Sequence, residues 1–157
     1  MPTIELLTSI NAAIQVCFDL ARDIDLHIES TQGTNERAVS GVTTGLINLG
    51  EEVTWEATHL GIRQRLTSRI TSFDRPHHFR DSQVKGVFRR LDHDHFFTIE
   101  AGLTRMRDVF VYESPLGWLG RCADRLFLRA YMSKLLNKRA IVIKAAAEAR
   151  STRLGSG

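Results

Sequence analysis

The chain has 157 residues, a formal net charge of +3, 43% hydrophobic residues and 25% charged residues. These proportions exclude intrinsic disorder, and the length supports one domain or at most two very small ones. No run approaches the ~20 apolar residues of a membrane-spanning helix, and the N-terminal stretch MPTIELLTSINAA has neither the basic nor the apolar region of a signal peptide.

In chain order, Thr3 to Ile10 reads as a strand. Asn11 is the expected N-cap of a helix from Ala12 to Ala21, whose apolar residues Ile14, Cys17, Phe18 and Ala21 recur at helical spacing. Asp23 caps a second short helix through Ile28, and Glu36 to Gly41 reads as a strand followed by a loop punctuated by Gly41, Gly45 and Gly50. Five further strands are expected at Glu52 to Leu60, Ile62 to Phe73, His77 to Lys85, Phe88 to Glu100 and Thr104 to Glu113. The short breaks between them, at Gly61, Arg75-Pro76, Gly86 and Ala101-Gly102, predict antiparallel hairpins. Pro115 stops the last strand, and a long helix is expected from about Gly117 to Arg150, with apolar positions at Leu119, Ala123, Leu126, Ala130, Leu135, Val142, Ala146 and Ala149. Ser151 to Gly157 lacks periodicity and is expected to be a flexible tail after a single domain spanning 1–150. The absence of strand–helix alternation argues against a parallel sheet; a curved antiparallel sheet gripping the long helix buries both apolar faces.

Side chains alternate across a strand, so parity sorts the faces. One face collects Arg63, Arg65, Arg69, Arg90, Arg105 and Arg107 together with Glu52, Glu56, Asp92 and Asp94. Such a surface is solvent-facing and laced with opposite charges, which disfavours nucleic acid as a partner, as does its lack of an aromatic stacking platform. The other face carries Val53, Trp55, Ala57, His59, Ile62, Gln64, Leu66, Ser68, Ile70, Leu91, His93, His95, Phe97, Ile99, Met106, Asp108, Phe110 and Tyr112, with Asp81 a further candidate. Unpaired buried polar groups cost about 1–3 kcal/mol each, so several on one concave face point to a cavity with convergent polar groups.

Gly117 to Arg150 carries eight basic residues (Arg121, Arg125, Arg129, Lys134, Lys138, Arg139, Lys144 and Arg150) against Asp124 and Glu148, while the remainder of the chain is net acidic. A solvated outer face accounts for this run; contact with an acidic partner or an anionic membrane surface is the alternative. The two cysteines, Cys17 and Cys122, make no disulfide framework or CxxC metal motif and lie in apolar helical patterns as core residues, so a reducing, cytoplasmic location is expected.

Several stretches together resemble the SRPBCC, or START-like, superfamily: Ile10-Asn11-Ala12 leading into Val16-Cys17-Phe18-Asp19-Leu20, Gly50 to Trp55, Asp81 to Gly86 with Phe88, His93, His95 and Phe97, Thr104 to Asp108, and Ser114 to Gly117. The chain looks most like the small stand-alone bacterial proteins of the polyketide cyclase/dehydrase and lipid-transport type. It departs from them at Ala12-Ala13, where Ala-Pro is common, at Gly86-Val87, where Gly-Pro is frequent, and at Leu91, where an aromatic is frequent. The resemblance implies an α+β helix-grip fold in which a seven-stranded antiparallel sheet wraps a C-terminal helix over a hydrophobic cavity. It implies a small hydrophobic ligand such as a lipid, polyketide or aromatic compound.

The expected lining is Trp55, His59, Gln64, Leu66, Asp81, Leu91, His93, His95, Phe97, Met106, Asp108, Phe110, Leu126 and Ala130. His93, His95, Asp108 and His59 would be the acid/base groups if the protein were an enzyme of cyclase, dehydratase or hydrolase type. His93-Asp94-His95 places two imidazoles on one strand face, and with Gly86 and Glu100 it approximates a cupin motif. No histidine follows His95, so pocket lining is preferred and neither metal nor cofactor is expected. Gly41, Gly45 and Gly50 form no phosphate loop, His77-His78 reads as an exposed strand start, and Leu116, Trp118 and Leu119 pack near the helix entrance. The protein is expected to act as a monomer or homodimer, with peripheral membrane contact left open.

Overall fold

The computed structural model describes residues 1–115, 122 and 127–154. Strand β1 (Thr3–Ile10) is followed by helices α1 (Ile14–Ala21) and α2 (Ile24–Ser30) and a 3-10 turn at Gln32–Thr34. Strands β2 (Arg37–Gly41), β3 (Glu52–His59), β4 (Ile62–Asp74), β5 (His78–Lys85), β6 (Arg90–Glu100) and β7 (Leu103–Glu113) come next, and helix α3 (Arg129–Leu154) follows. The strands form one antiparallel sheet in the order β1-β7-β6-β5-β4-β3-β2. The first two strands thus lie at opposite edges, and α1 and α2 carry the chain from one edge to the other. This is the expected helix-grip arrangement.

Local chemistry sets several boundaries. The β3–β4 and β6–β7 hairpins each turn on two residues with positive φ, Leu60-Gly61 (52° and 77°) and Ala101-Gly102 (49° and 75°). That pairing matches the right-handed twist of the flanking strands, and glycine takes the second position without steric cost. Asp23 caps α2 as expected, its carboxylate accepting from the Asp25 and Leu26 amides at 2.9 and 3.1 Å. Asn11 is not the N-cap of α1: the helix begins at Ile14, Ala13 holds the cap position without a side-chain bond, and the Asn11 amide donates to Glu148 on α3 at 3.0 Å.

Helix α1 drives Phe18, fully buried, into the sheet. Its ring meets Phe73, Phe79 and Phe97 in edge-on contacts with centroids 5.3, 5.3 and 5.4 Å away. Helix α3 buries Leu136, Ala140, Ile143 and Ala147, a spacing of four, three and four that makes one stripe. The expected stripe through Leu135, Val142 and Ala146 is rotated by about one residue from the buried one; those three are only partly buried and Ala149 is exposed. The apolar run offers both phases, and contact with α1 and β1 selects between them. Two of the basic residues hold the helix in place. Arg139 Nη2 donates to the Ala21 carbonyl at 2.6 Å and Lys144 Nζ to the Ser9 carbonyl at 2.8 Å. The helix also runs on through Leu154, past the expected start of the tail at Ser151.

Strand parity places the faces as expected over β6 and β7, with Leu91, His93, His95, Phe97, Thr104, Met106, Asp108, Phe110 and Tyr112 all buried. Ile62 and Ile99 depart from the expected inner face: they have its parity but are 63% and 66% exposed, each close to the end of its strand. Cys122 is exposed rather than core, whereas Cys17 is buried. Glu56 lies on the outer face yet is only 4% exposed, since Arg37, Arg63 and Arg65 close over its carboxylate. Among the described residues no helix is long and apolar enough to cross a membrane.

Candidate functional site

Four ionisable side chains meet at the centre of the inner face. Register sets His93 opposite Asp81 on β5 and Phe110 on β7, and His95 opposite Asp108. The imidazoles of His93 and His95, two residues apart on one strand, therefore lie side by side with centroids 3.8 Å apart. Asp108 Oδ1 stands 3.1 Å from His93 Nε2 and 2.7 Å from His95 Nδ1. The second contact is too bent for a good hydrogen bond and acts as an ion pair. On the other side, Asp81 Oδ2 is 3.2 Å from His95 Nε2 and 4.0 Å from His93 Nδ1. Phe79 stacks on the His95 ring at 4.2 Å, and Phe110 meets His93 edge-on at 5.3 Å, so apolar groups seal the cluster.

The electrostatics follow from this bracket. Burial opposes a charge on Asp81, but the His95 hydrogen bond and the charges of His93, His95 and Arg139 hold its pKa down at about 2. Burial likewise opposes the charge on Asp108, and the two imidazoles outweigh it, so its pKa lies well below the ordinary carboxylate range. Burial pulls His95 down, yet its close contacts with the Asp108 and Asp81 carboxylates lift it above the ordinary histidine value. His93 goes the other way: burial and the neighbouring His95 charge outweigh Asp108 and lower it. The surroundings thus favour the ionised form of both carboxylates and push the two imidazoles in opposite directions.

Asp81 is the member that reaches open space. With Trp55, His27, Ser68, Phe79 and Arg139, it lines a cavity of about 50 Å³ between α2, the sheet and α3. That is room for at least one water, whose share of liquid volume is about 30 Å³. A second polar group borders the same region. His27 Nε2 contacts Glu36 at 2.6 Å, His27 stacks on Trp55 at 4.2 Å, and His59 Nδ1 bonds the Tyr131 hydroxyl at 2.9 Å. Burial opposes the charge on Glu36, but His27, His59 and Arg139 together lower its pKa.

The residues singled out by sequence are therefore distributed over several places. Asp81, His93, His95 and Asp108 come together, and Trp55 shares the cavity with Asp81. His59, on β3, pairs with Tyr131 apart from that cluster. Leu91 and Phe110 form one apolar group with Leu136, Phe97 and Met106 belong to the core around Phe18, and Leu66 touches both groups. Gln64 is half-buried, Ala130 is exposed at the start of α3, and Leu126 lies outside the described residues, as do Leu116, Trp118 and Leu119. His77 is exposed, while His78 is half-buried and bonds Asp94 at 2.7 Å. Sequence reasoning missed His27, Glu36, Tyr131 and Arg139. Arg139 was one cation in a basic run, and nothing in its spacing separates it from its neighbours.

A sheet that grips a helix, with a polar cluster at the centre of its inner face, defines a helix-grip protein. No family model matches the sequence, and no curated protein is similar to it in sequence. The fold has many solved counterparts. TTHA0849 from Thermus thermophilus is similar with a TM-score of 0.76 at 18% identity, over 96% of this chain and 99% of that one. A ginseng major latex-like protein from Panax ginseng gives 0.68 at 15% identity, over 93% and 97% of the two chains. Ara h 8.0201 gives 0.61 at 10% identity, over 90% and 97%. The latter two are Bet v 1-like structures of the SRPBCC superfamily.

Proposed function

We propose that the protein binds, and in doing so can carry, a small and mostly apolar molecule against the inner face of the sheet beneath α3. The observation that supports this is the composition of that face. Ile24, Ile47, Val53, Trp55, Ile70 and Phe79 line the open space that the desolvated ionic cluster reaches through Asp81. Apolar walls supply affinity and a few convergent polar groups fix orientation. The Bet v 1-like fold is of a kind that binds hydrophobic ligands. The cavity next to Asp81 is small, so a larger guest gains its room by shifting side chains or α3. Native mass spectrometry of the freshly purified protein, followed by organic extraction, should recover an apolar molecule at one equivalent. Displacement of a fluorescent apolar probe by that extract should follow. No co-purifying molecule and no saturable probe binding would sink the reading.

A second reading is favoured by one contact. A neutral His93 held by Asp108 at 3.1 Å is a carboxylate-oriented imidazole of the kind general-base catalysis uses. On an apolar carbonyl substrate it would act as cyclase or dehydratase, and turnover that survives His93→Gln would reject it.

A further inference from the structure

The two imidazoles lie between the same two carboxylates. Each turns one nitrogen to the same carboxylate, His93 Nε2 and His95 Nδ1 to Asp108 Oδ1, at 3.1 and 2.7 Å. The other nitrogens, His93 Nδ1 and His95 Nε2, face Asp81 Oδ2 at 4.0 and 3.2 Å. One ligand atom from each of Asp81, His93 and His95 lies within 4.8 Å of the other two. For metal–ligand bonds of about 2.0–2.2 Å, neighbouring ligand atoms stand roughly 2.9–3.5 Å apart. Closing the set onto one ion therefore takes at most about 1–2 Å, shared between the facing side chains. A carboxylate on the far nitrogen of a ligating histidine is the arrangement that fixes its tautomer and raises its basicity. Asp108 bonds the far nitrogen of His93 at 3.1 Å and lies 2.7 Å from that of His95 as an ion pair.

We propose that Asp81, His93 and His95 form a binding site for one divalent first-row transition cation, with Asp108 positioning both imidazoles. Two nitrogen donors and one carboxylate suit Zn²⁺ or Fe²⁺ rather than Mg²⁺ or Ca²⁺, which prefer oxygen. Three protein ligands leave coordination positions open, and the cavity of about 50 Å³ beside Asp81 has room for a water to fill one. His93 turns Nε2 toward Asp108 and leaves Nδ1 on the side of Asp81. His95 turns Nε2 toward Asp81 and Nδ1 toward Asp108. Two carboxylates then balance the ion's two positive charges. Arg139 is the further cation near Asp81, and its guanidinium is tied to the Ala21 carbonyl. This site is independent of the ligand reading above, because metal alone tests it.

Protein stripped with a chelator and titrated with Co²⁺ should take up one equivalent and develop the visible absorption of mixed nitrogen–oxygen coordination. With Zn²⁺, imidazole ¹⁵N resonances of His93 Nδ1 and His95 Nε2 should shift in the unmodified chain. Asp81→Asn and His93→Gln should abolish the saturable uptake. Asp108→Asn should keep one site but weaken it about 10–100-fold while circular dichroism stays native, a loss that a purely structural role for Asp108 does not produce. His77→Ala, at an exposed imidazole, should change nothing. If His93→Gln fails to fold, Asp81→Asn and the ¹⁵N shifts decide alone. The proposal is overturned if the unmodified protein takes up no stoichiometric metal, or if uptake persists in a folded Asp81→Asn chain.

Discussion

Asp108→Asn tests the electrostatics of the central cluster, because asparagine nearly matches the shape of aspartate while it removes the charge and exchanges one acceptor oxygen for an amide donor. The carboxylate is 10% exposed and lies 3.1 Å from His93 Nε2 and 2.7 Å from His95 Nδ1. Breaking a buried pair by removing one partner costs about 3–5 kcal/mol, because an uncompensated charge stays behind. His95 keeps Asp81 at 3.2 Å, and it can also shed its proton. Both routes limit the loss to the lower end, about 3 kcal/mol. For a chain of this size that corresponds to a fall in Tm of roughly 6–12 °C. Urea unfolding of metal-free protein, followed by tryptophan fluorescence, measures it, and an unchanged m-value shows that the reference states are comparable. A loss below about 1 kcal/mol, the range of an exposed pair, would refute the reasoning that the cluster is ionic and desolvated.

The other predictions concern the frame around the site. Phe18→Ala removes a fully buried ring with three edge-on partners and should cost about 3–5 kcal/mol in the same urea assay. Gly41 has φ +75°, and a Cβ there would stand 2.2 Å from the Glu52 carbonyl oxygen, so Gly41→Ala should destabilise by about 1–3 kcal/mol through the β2–β3 edge. Hydrogen bonds from Arg63, Arg37 and Arg65 hold the Glu56 pKa at about 2, against an ordinary value of 4.5. A depressed carboxylate stabilises the fold above its unfolded pKa, and that contribution is lost as pH falls through the folded one. Glu56→Gln should therefore flatten the fall in stability between pH 5 and pH 2, and high salt should shrink the difference.

Most of the frame was legible because it rests on local rules. Alternation set the inner faces of β6 and β7, X-Gly pairs set two hairpins, and Asp23 announced its own helix. What failed lay where two local solutions are nearly equal. The α3 sequence carries apolar residues in adjacent phases, and only packing on α1 and β1 picks Leu136, Ala140, Ile143 and Ala147. Glu56 reads as a surface acid because its cover comes from arginines on two other strands. The site was half visible. Parity predicted that His93 and His95 share a face with Asp108. It could not supply the β5–β6 register that sets Asp81 against His93, since β4–β5 pairing contains irregularities and the alternation of β5 is weak. Arg139, Glu36 and His27 converge from α3, the approach to β2 and α2, and no spacing along the chain relates them.

The cluster's position in the sheet bears on what it is for. A buried ionic group is weak as a source of stability, since apolar residues of similar volume hold a core together equally well or better. Sealing the centre of β5, β6 and β7 with hydrophobic side chains would thus be the simpler way to close this face. The observed arrangement instead keeps three of its four members almost completely dry and leaves Asp81, 22% exposed at its side chain, facing the cavity. Charge introduced at Asp81 is therefore felt at His95 and then at Asp108 through contacts of 3.2 and 2.7 Å in a medium that screens poorly. Arg139 adds a helix-borne charge at the same cavity. A guest or ion arriving there meets sheet and helix together, and its effect passes into the core along one chain of carboxylates and imidazoles. That combination fits the proposed binding role better than a purely structural one.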